Sequence, residues 1–354
     1  MNMPLPITHV ATTDVKDMMN PAPGRRMALP GFAEEFVDFP HYIIRITDRI
    51  WHDREIDLCL EWYTSDCLIH TLGGDIVGAQ TVADNTRATL AVFNDRRLDA
   101  DNVIWSEDEP GTFYSSHLIT SKMTHTGAGE FGPATGKRVR VQTIADCLCK
   151  DNRIFREWLV RDNLGLITQL GLEPDAIAAR QSAADGDRRF SLIDFHAESR
   201  RRVTAGHQAT GIGLSATETA VSALRSIWQS RGLQDAEKAY DFRVTGSYPG
   251  ATSLYGPDDI CAWFEPFWSA FPDLSLSIDH VAEIGYLGEA RDVAVRWSAA
   301  GVHTGPGRYG PPTGAPVFFM GVSHMRVMNG RVREDVCVWD DLAVRRQISE
   351  ARRR

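Results

Sequence analysis

Glu157-Trp-Leu-Val-Arg-Asp162-Asn-Leu-Gly-Leu-Ile-Thr-Gln-Leu-Gly171 decides how the chain is read, because a version of it occurs twice. The second copy is Asp335-Val-Cys-Val-Trp-Asp340-Asp-Leu-Ala-Val344, with Asp340 lying 178 positions after Asp162. Each copy alternates apolar and polar residues and ends on a carboxylate, which predicts a strand with an acid at its end. A period of two puts Trp158, Val160 and Asp162 on one face, and likewise Val336, Val338 and Asp340. An acid that closes an apolar strand face is the expected sign of a buried pocket with one titratable group.

The same offset extends well beyond this strand. It pairs Phe93-Asn-Asp95 with Phe271-Pro-Asp273, Gly78 with Gly256, and His125-Thr-Gly127 with His303-Thr-Gly305. Pro133-Ala-Thr-Gly136 falls on Pro311-Pro-Thr-Gly314, and no gap is needed between about Gly78 and Leu166. A period of domain length, with glycines and turns in phase, is an internal duplication of one fold. The bounds that follow are an N-terminal arm over 1–39, a first copy over 40–180, a linker and lead-in over 181–214, and a second copy over 215–354.

Composition restricts the function class. A chain of 354 residues that is 43% hydrophobic and 24% charged has apolar material for a core in each copy. A net charge of −9 argues against a nucleic-acid or anionic-membrane partner. The basic runs Arg200-Arg-Arg202 and Arg352-Arg-Arg354 are short and read as solvated. No segment reads as a secretory signal or a membrane span. The six cysteines form no CxxC pair, and Cys147 and Cys149 read as core thiols. A reducing cytoplasm is the expected location.

Along the chain, the proline-rich first 39 residues predict a loose arm. Helical spacing follows from Pro40 to about Tyr63, broken near His52-Asp53, then a short strand from Cys67 to Leu72 and a helix from Gln80 to Phe93. Four strands come next, at about 98–106, 112–125, 137–149 and 154–163. A helix is expected from 165 to about 180, running past Gly171 and Pro174, and then a polar link hinged at Asp185-Gly186-Asp187. His196 and His207 lie in a segment with no partner in the repeat. The second copy predicts helices at 216–230, 234–242 and 257–270, a short strand near 243–247, and strands at 275–285, 291–303, 315–328 and 331–340. Helices gathered against an antiparallel meander predict an α+β cone with a one-sided pocket.

That order, with Phe271-Pro-Asp-Leu274, Val293-Ala-Val-Arg-Trp297, His303-Thr-Gly305, Pro312-Thr-Gly314, Asn329-Gly-Arg331 and Val338-Trp-Asp-Asp-Leu342, resembles the SnoaL-like polyketide cyclase family of the NTF2-like superfamily. The resemblance spans both copies, roughly 40–172 and 215–350. It implies tandem cone-shaped α+β barrels, each a curved antiparallel sheet with helices packed on it. It also implies an aspartate on the last strand as general acid/base in an aldol ring closure, which position for position is Asp162 or Asp340. The superfamily includes isomerases, dehydratases, epoxide hydrolases and binding-only members, so fold alone leaves the reaction open.

Each candidate has a bland counterpart. Asp340 and Asp162, if buried, carry raised pKa values suited to proton transfer; otherwise they cap the following helix. His324, on the preceding strand, is expected to orient Asp340. Its counterpart Asp146 either shares a pocket with Asp162 or faces water. His70 and Tyr248, related by the offset, are expected at the pocket mouth. His117 and Trp158 are further pocket candidates, while His125 and His303 read as loop ties. Trp62, Trp105, Tyr255, Trp263 and Trp268 read as core or pocket wall.

No HxH, HExxH, Walker loop, GxGxxG or Gly-x-Ser-x-Gly unit occurs, so no metal or cofactor is expected. The expectation is a cofactor-independent acid/base enzyme acting on a small apolar carbonyl or ester substrate. Its chemistry would be cyclisation, isomerisation or lyase chemistry. The alternatives are a non-catalytic small-molecule-binding protein, or one active copy beside one structural copy. The copies are expected to pair as an internal pseudo-dimer, with homo-oligomerisation left open.

Overall fold

The computed structural model describes residues 6–206, 209 and 211–353, so the expectation attached to His207 lies outside the described residues. Packing divides the chain into two units. The first ends at Leu159; the second takes Leu72–Gly74 and the chain from Val160 onward.

In the first unit, α1 (Val15–Met19), α2 (Phe39–Trp51), α3 (Cys59–Trp62) and α4 (Ala79–Val92) accompany one sheet. Its strands are β1 (Tyr63–His70), β2 (Ile76–Val77), β3 (Arg97–Glu109), β4 (Thr112–Thr124), β5 (Arg138–Lys150) and β6 (Arg153–Arg161), in the order β2-β1-β6-β5-β4-β3. β1 runs parallel to β6, whereas β3, β4 and β5 pair antiparallel. Asp38 starts α2 by accepting the His41 amide at 2.9 Å, and Pro40 fits the first turn, where no amide donor is needed. The stripe of Ile43, Ile46 and Ile50 then faces Val103, Phe113 and Cys147 of the sheet.

The second unit repeats the plan. It holds α5 (Asn163–Leu170), α6 (Pro174–Ala184), α7 (Arg188–Ala205), α8 (Ser215–Arg225), α9 (Leu233–Ala239), α10 (Gly256–Ala270) and α11 (Asp341–Arg352). Its strands are β7 (Tyr240–Tyr248), β8 (Thr252–Tyr255), β9 (Ser275–Gly285), β10 (Arg291–Val302), β11 (Pro316–Met328) and β12 (Arg331–Trp339), ordered β8-β7-β12-β11-β10-β9. A π-helical turn over Ser226–Ser230 carries Trp228 into the core. In both units the side of the sheet facing the helices is the inner face. α7 lies across β9, β10 and β11 on the opposite, outer face, where Phe195 meets Phe318 edge-on.

Four expectations change. Both sheets stay open, with β2, β3, β8 and β9 as edges, so neither copy is a closed barrel. The arm is packed: Val10, Met18, Leu29, Phe32 and Phe36 are buried, because their apolar area outweighs the cost of ordering a proline-rich segment. The helix after β6 stops at Gly171, whose φ of 73° is a left-handed cap, and Pro174 opens a new helix where its missing amide costs nothing. The supposed linker is largely helix, with Arg346 of α11 paired to Asp185 where a hinge was expected. Among the described residues, no helix is long and apolar enough to cross a membrane.

Candidate active site

Asp162 and Asp340 stand just past β6 and β12, where the chain turns into α5 and α11. A helix start leaves amide donors unpaired, and a carboxylate at that point is the usual acceptor. Asp162 accepts from the Gly165 amide at 2.8 Å, and also from Gly250 and Ala251 of the β7–β8 turn at 2.8 and 2.9 Å. Burial raises its pKa while these amides pull it down, and burial prevails. Asp340 accepts from the Ala343 amide at 3.1 Å and from Asn163 Nδ2 at 2.6 Å. Both aspartates therefore sit as helix caps.

The faces also differ from expectation. Inner-face positions on the last strands are Glu157 and Leu159 in β6, and Asp335, Cys337 and Trp339 in β12. Leu159 packs on the first unit's core, and Trp339 packs on Trp228 with ring centroids 5.5 Å apart. Trp158 thus lies on the outer face, stacked on His70 at 5.4 Å, with His70 Nδ1 2.8 Å from Asp75. Asp146 is also outward: it pairs with Ser116, whose hydroxyl donates to it at 2.5 Å, and it accepts from the Tyr114 hydroxyl. His324 stands opposite Val336 on the outer face, well short of Asp340, so it does not orient that carboxylate.

The inner faces carry different polar groups. In the second unit, Asp335 is fully buried and accepts on Oδ2 from Tyr248 at 2.7 Å and from Tyr240 at 3.0 Å, leaving Oδ1 unpartnered. Burial pushes its pKa up to about 6, against the lowering effect of the two hydroxyls. Gly246 is what lets the Tyr248 ring lie so close: a Cβ there would stand 2.6 Å from the ring.

In the first unit, His117 lies centrally on the inner face, paired across to Val103 and Ala145. Burial lowers its pKa to about 3, so the imidazole is neutral, and Nε2 has no partner. Ser115 and Thr143 line the same face, and their hydroxyls are also buried without partners. Between them Ala145 and Leu159 keep accessible surface. Glu157 stands beside Ile69 and exerts its charge on Tyr63, Cys59, Cys67 and Cys147. Burial raises these thiols, Cys59 to about 11 and Cys67 to about 12, which keeps them protonated.

Strand pairing aligns the two sets. Tyr63 faces Ile154 and Ile69 faces Glu157 in one sheet; Tyr240 faces Val332 and Gly246 faces Asp335 in the other. Glu157 matches Asp335 at the 178 offset, but the first strand is shifted by one, so Tyr63 matches Tyr240. The tyrosine–acid pair therefore recurs, and the expected match of His70 with Tyr248 does not hold. Sequence reasoning missed Glu157, Asp335, Tyr63 and Tyr240, although an acid opens both copies of the repeated stretch. His125 and His303 hold their loops, each with Nδ1 on a threonine hydroxyl, Thr135 at 3.2 Å and Thr313 at 3.0 Å.

Residues 41–170 and 218–348 each match the family model of the SnoaL-like polyketide cyclases. Three solved structures illustrate the likeness, each aligning with one copy's length of this chain. A protein described as a SnoaL-like polyketide cyclase from Jannaschia Sp. CCS1 is 22% identical, with a TM-score of 0.35 over 41% of this chain and 98% of its own. IdmH of Streptomyces antibioticus, described as a polyketide cyclase, is 19% identical at TM-score 0.33, over 38% and 98%. AclR of Streptomyces galilaeus, described as a hydroxylase, is 17% identical at TM-score 0.33, over 37% and 94%. No curated protein matches the chain.

Proposed function

Because the chain belongs to the SnoaL-like polyketide cyclase family, we propose that it is a cofactor-independent acid/base enzyme acting on a small, mostly apolar carbonyl compound. The proton carrier in this reading is the inner-face acid of the last strand, Glu157. It takes the proton from the carbon next to the carbonyl, and the electron pair moves onto the carbonyl oxygen. The hydroxyls of Ser115 and Thr143 and the neutral ring of His117 are the donors for that oxygen. Glu157 then returns the proton to that carbon, or to the γ-carbon where a conjugated double bond extends the enolate, which closes the cycle without a co-reactant. Tyr63 positions the acid. Asp162 and Asp340 act as positioning residues through the helices they cap.

The observation that carries this reading is the set of three buried, unpartnered polar atoms on one inner face, those of Ser115, His117 and Thr143. Buried polar groups are normally paired, so a cluster of unpaired ones beside accessible apolar surface suits a polar ligand atom. The test is deuterium incorporation from heavy water into a panel of cyclic ketones and 1,3-diketones, followed by proton NMR. Wild-type protein should accelerate exchange in at least one compound, and Glu157→Gln should lose at least 100-fold of it. Exchange undiminished in Glu157→Gln would sink the assignment.

A further inference from the structure

The two inner faces have diverged in how they are filled, and the divergence is systematic. At the 178 offset, Thr86, Thr89 and Ile119 of the first unit correspond to Phe264, Phe267 and Trp297 of the second. These three aromatic residues, and Trp228 beside them, are essentially without accessible surface. Trp228 meets Trp297 at 4.3 Å, Phe267 at 5.1 Å and Phe264 at 5.5 Å between ring centroids. Thr143 becomes Gly321, and the Trp297 ring occupies that gap: a Cβ on Gly321 would lie 2.2 Å from it.

The polar groups change in step. Ser115 and His117 become Val293 and Val295, which need no partners. Ala145, accessible in the first unit, becomes Ser323, which is fully buried and accepts from Trp297 Nε1 at 3.2 Å. Leu159, also accessible, becomes Cys337, buried and accepting from the Ser323 hydroxyl at 3.2 Å. The second inner face thus ties Trp297, Ser323 and Cys337 into one hydrogen-bonded chain, with Asp335 Oδ1 and Trp339 Nε1 left unpartnered, whereas the hydroxyls of Ser115 and Thr143 and Nε2 of His117 on the first face enter no such chain.

Building on the acid/base reading above, we propose that the chain holds one ligand chamber, on the inner face of the first unit, while the second unit's aromatic core makes that copy structural. The chamber suits a neutral, ring-sized, mostly apolar molecule with a carbonyl or enol oxygen. Ser115, His117 and Thr143 are its specificity residues, because each offers a buried polar atom that only a ligand oxygen or hydroxyl would satisfy.

The test uses 2-naphthol, an uncharged enol mimic, titrated into the full-length protein by calorimetry and by naphthol fluorescence. One equivalent per chain is expected. Ala145→Phe and, independently, Leu159→Phe should each weaken binding at least 10-fold while circular dichroism stays unchanged. Trp297→Phe should leave binding intact. Two equivalents, no binding at all, or binding that survives both first-unit variants and is lost in Trp297→Phe would overturn the proposal. Glu157→Gln separates this from the chemistry. Naphthol binding at one site in a protein that shows no proton exchange would keep the chamber and remove the acid/base role.

Discussion

Tyr248 reaches across from β7 to donate its hydroxyl to Asp335 Oδ2 at 2.7 Å, and this bond opposes the upward pull of burial on that carboxyl. Tyr240 reaches the same oxygen at 3.0 Å. Both bonds favour the carboxylate, whereas burial disfavours it more strongly, and Asp335 comes to rest near 6.

Removing one donor should let burial gain further. Tyr248→Phe is expected to raise the Asp335 pKa above its wild-type value. Carbon-13 NMR titration of the aspartate carboxyls checks this, and an unchanged or lowered value would contradict the assignment of cause.

Asp335 also predicts a pH-dependent stability. Its folded pKa lies above the unfolded value near 3.8, so the folded state holds the proton longer. Stability associated with this group is therefore full below about pH 4 and falls as pH rises through about 6. The loss by pH 7 is on the order of 3 kcal/mol. Urea unfolding of wild type and Asp335→Asn across pH 4 to 7 should show the gap between them shifting in favour of the variant as pH rises.

His117 works in the opposite sense. Its folded pKa is pushed down to about 3, so the unfolded chain takes up a proton first. Stability from keeping it neutral is present above about pH 6.5 and is lost as pH falls towards 3. His117→Gln, of similar reach but not titrating there, should flatten the acid side of the stability profile. For the same reason, the exchange activity should show no limb near pH 6.5 from this residue.

Asp162 should matter to stability through the helix start it caps. Asp162→Ala removes the acceptor of three backbone amides, one buried and two part-buried, and should cost about 2 kcal/mol. Asp340→Ala, with one amide and one side-chain donor, should cost less. Denaturant midpoints for the two variants give the order.

Gly321 is a packing position. Gly321→Ala places a methyl against the Trp297 ring, and the tightly packed aromatic core has little room to yield, so about 1–3 kcal/mol of stability should be lost. The first unit's counterpart tests the contrast in filling. Thr143→Val removes an unpartnered hydroxyl and should cost little or nothing.

The sequence by itself determined the duplication, the order of helices and strands in each copy, and the acid that opens both versions of the repeated stretch. Local rules suffice for these: a fixed offset keeps glycines in phase, and strand or helix periods depend only on neighbours along the chain. What the tertiary structure decided was which side of each sheet faces the helices. Alternation marks two faces but labels the inner one only when the other is wet. Here Tyr114, Ile144 and Val160 on the outer face are as buried as Val103 and Cys149 on the inner. With both sides dry, Asp162 and Glu157 look alike as strand acids. Only packing separates the helix cap from the group that looks inward, and only packing shows that Trp228, Phe264, Phe267 and Trp297 gather into one buried aromatic cluster in the second copy.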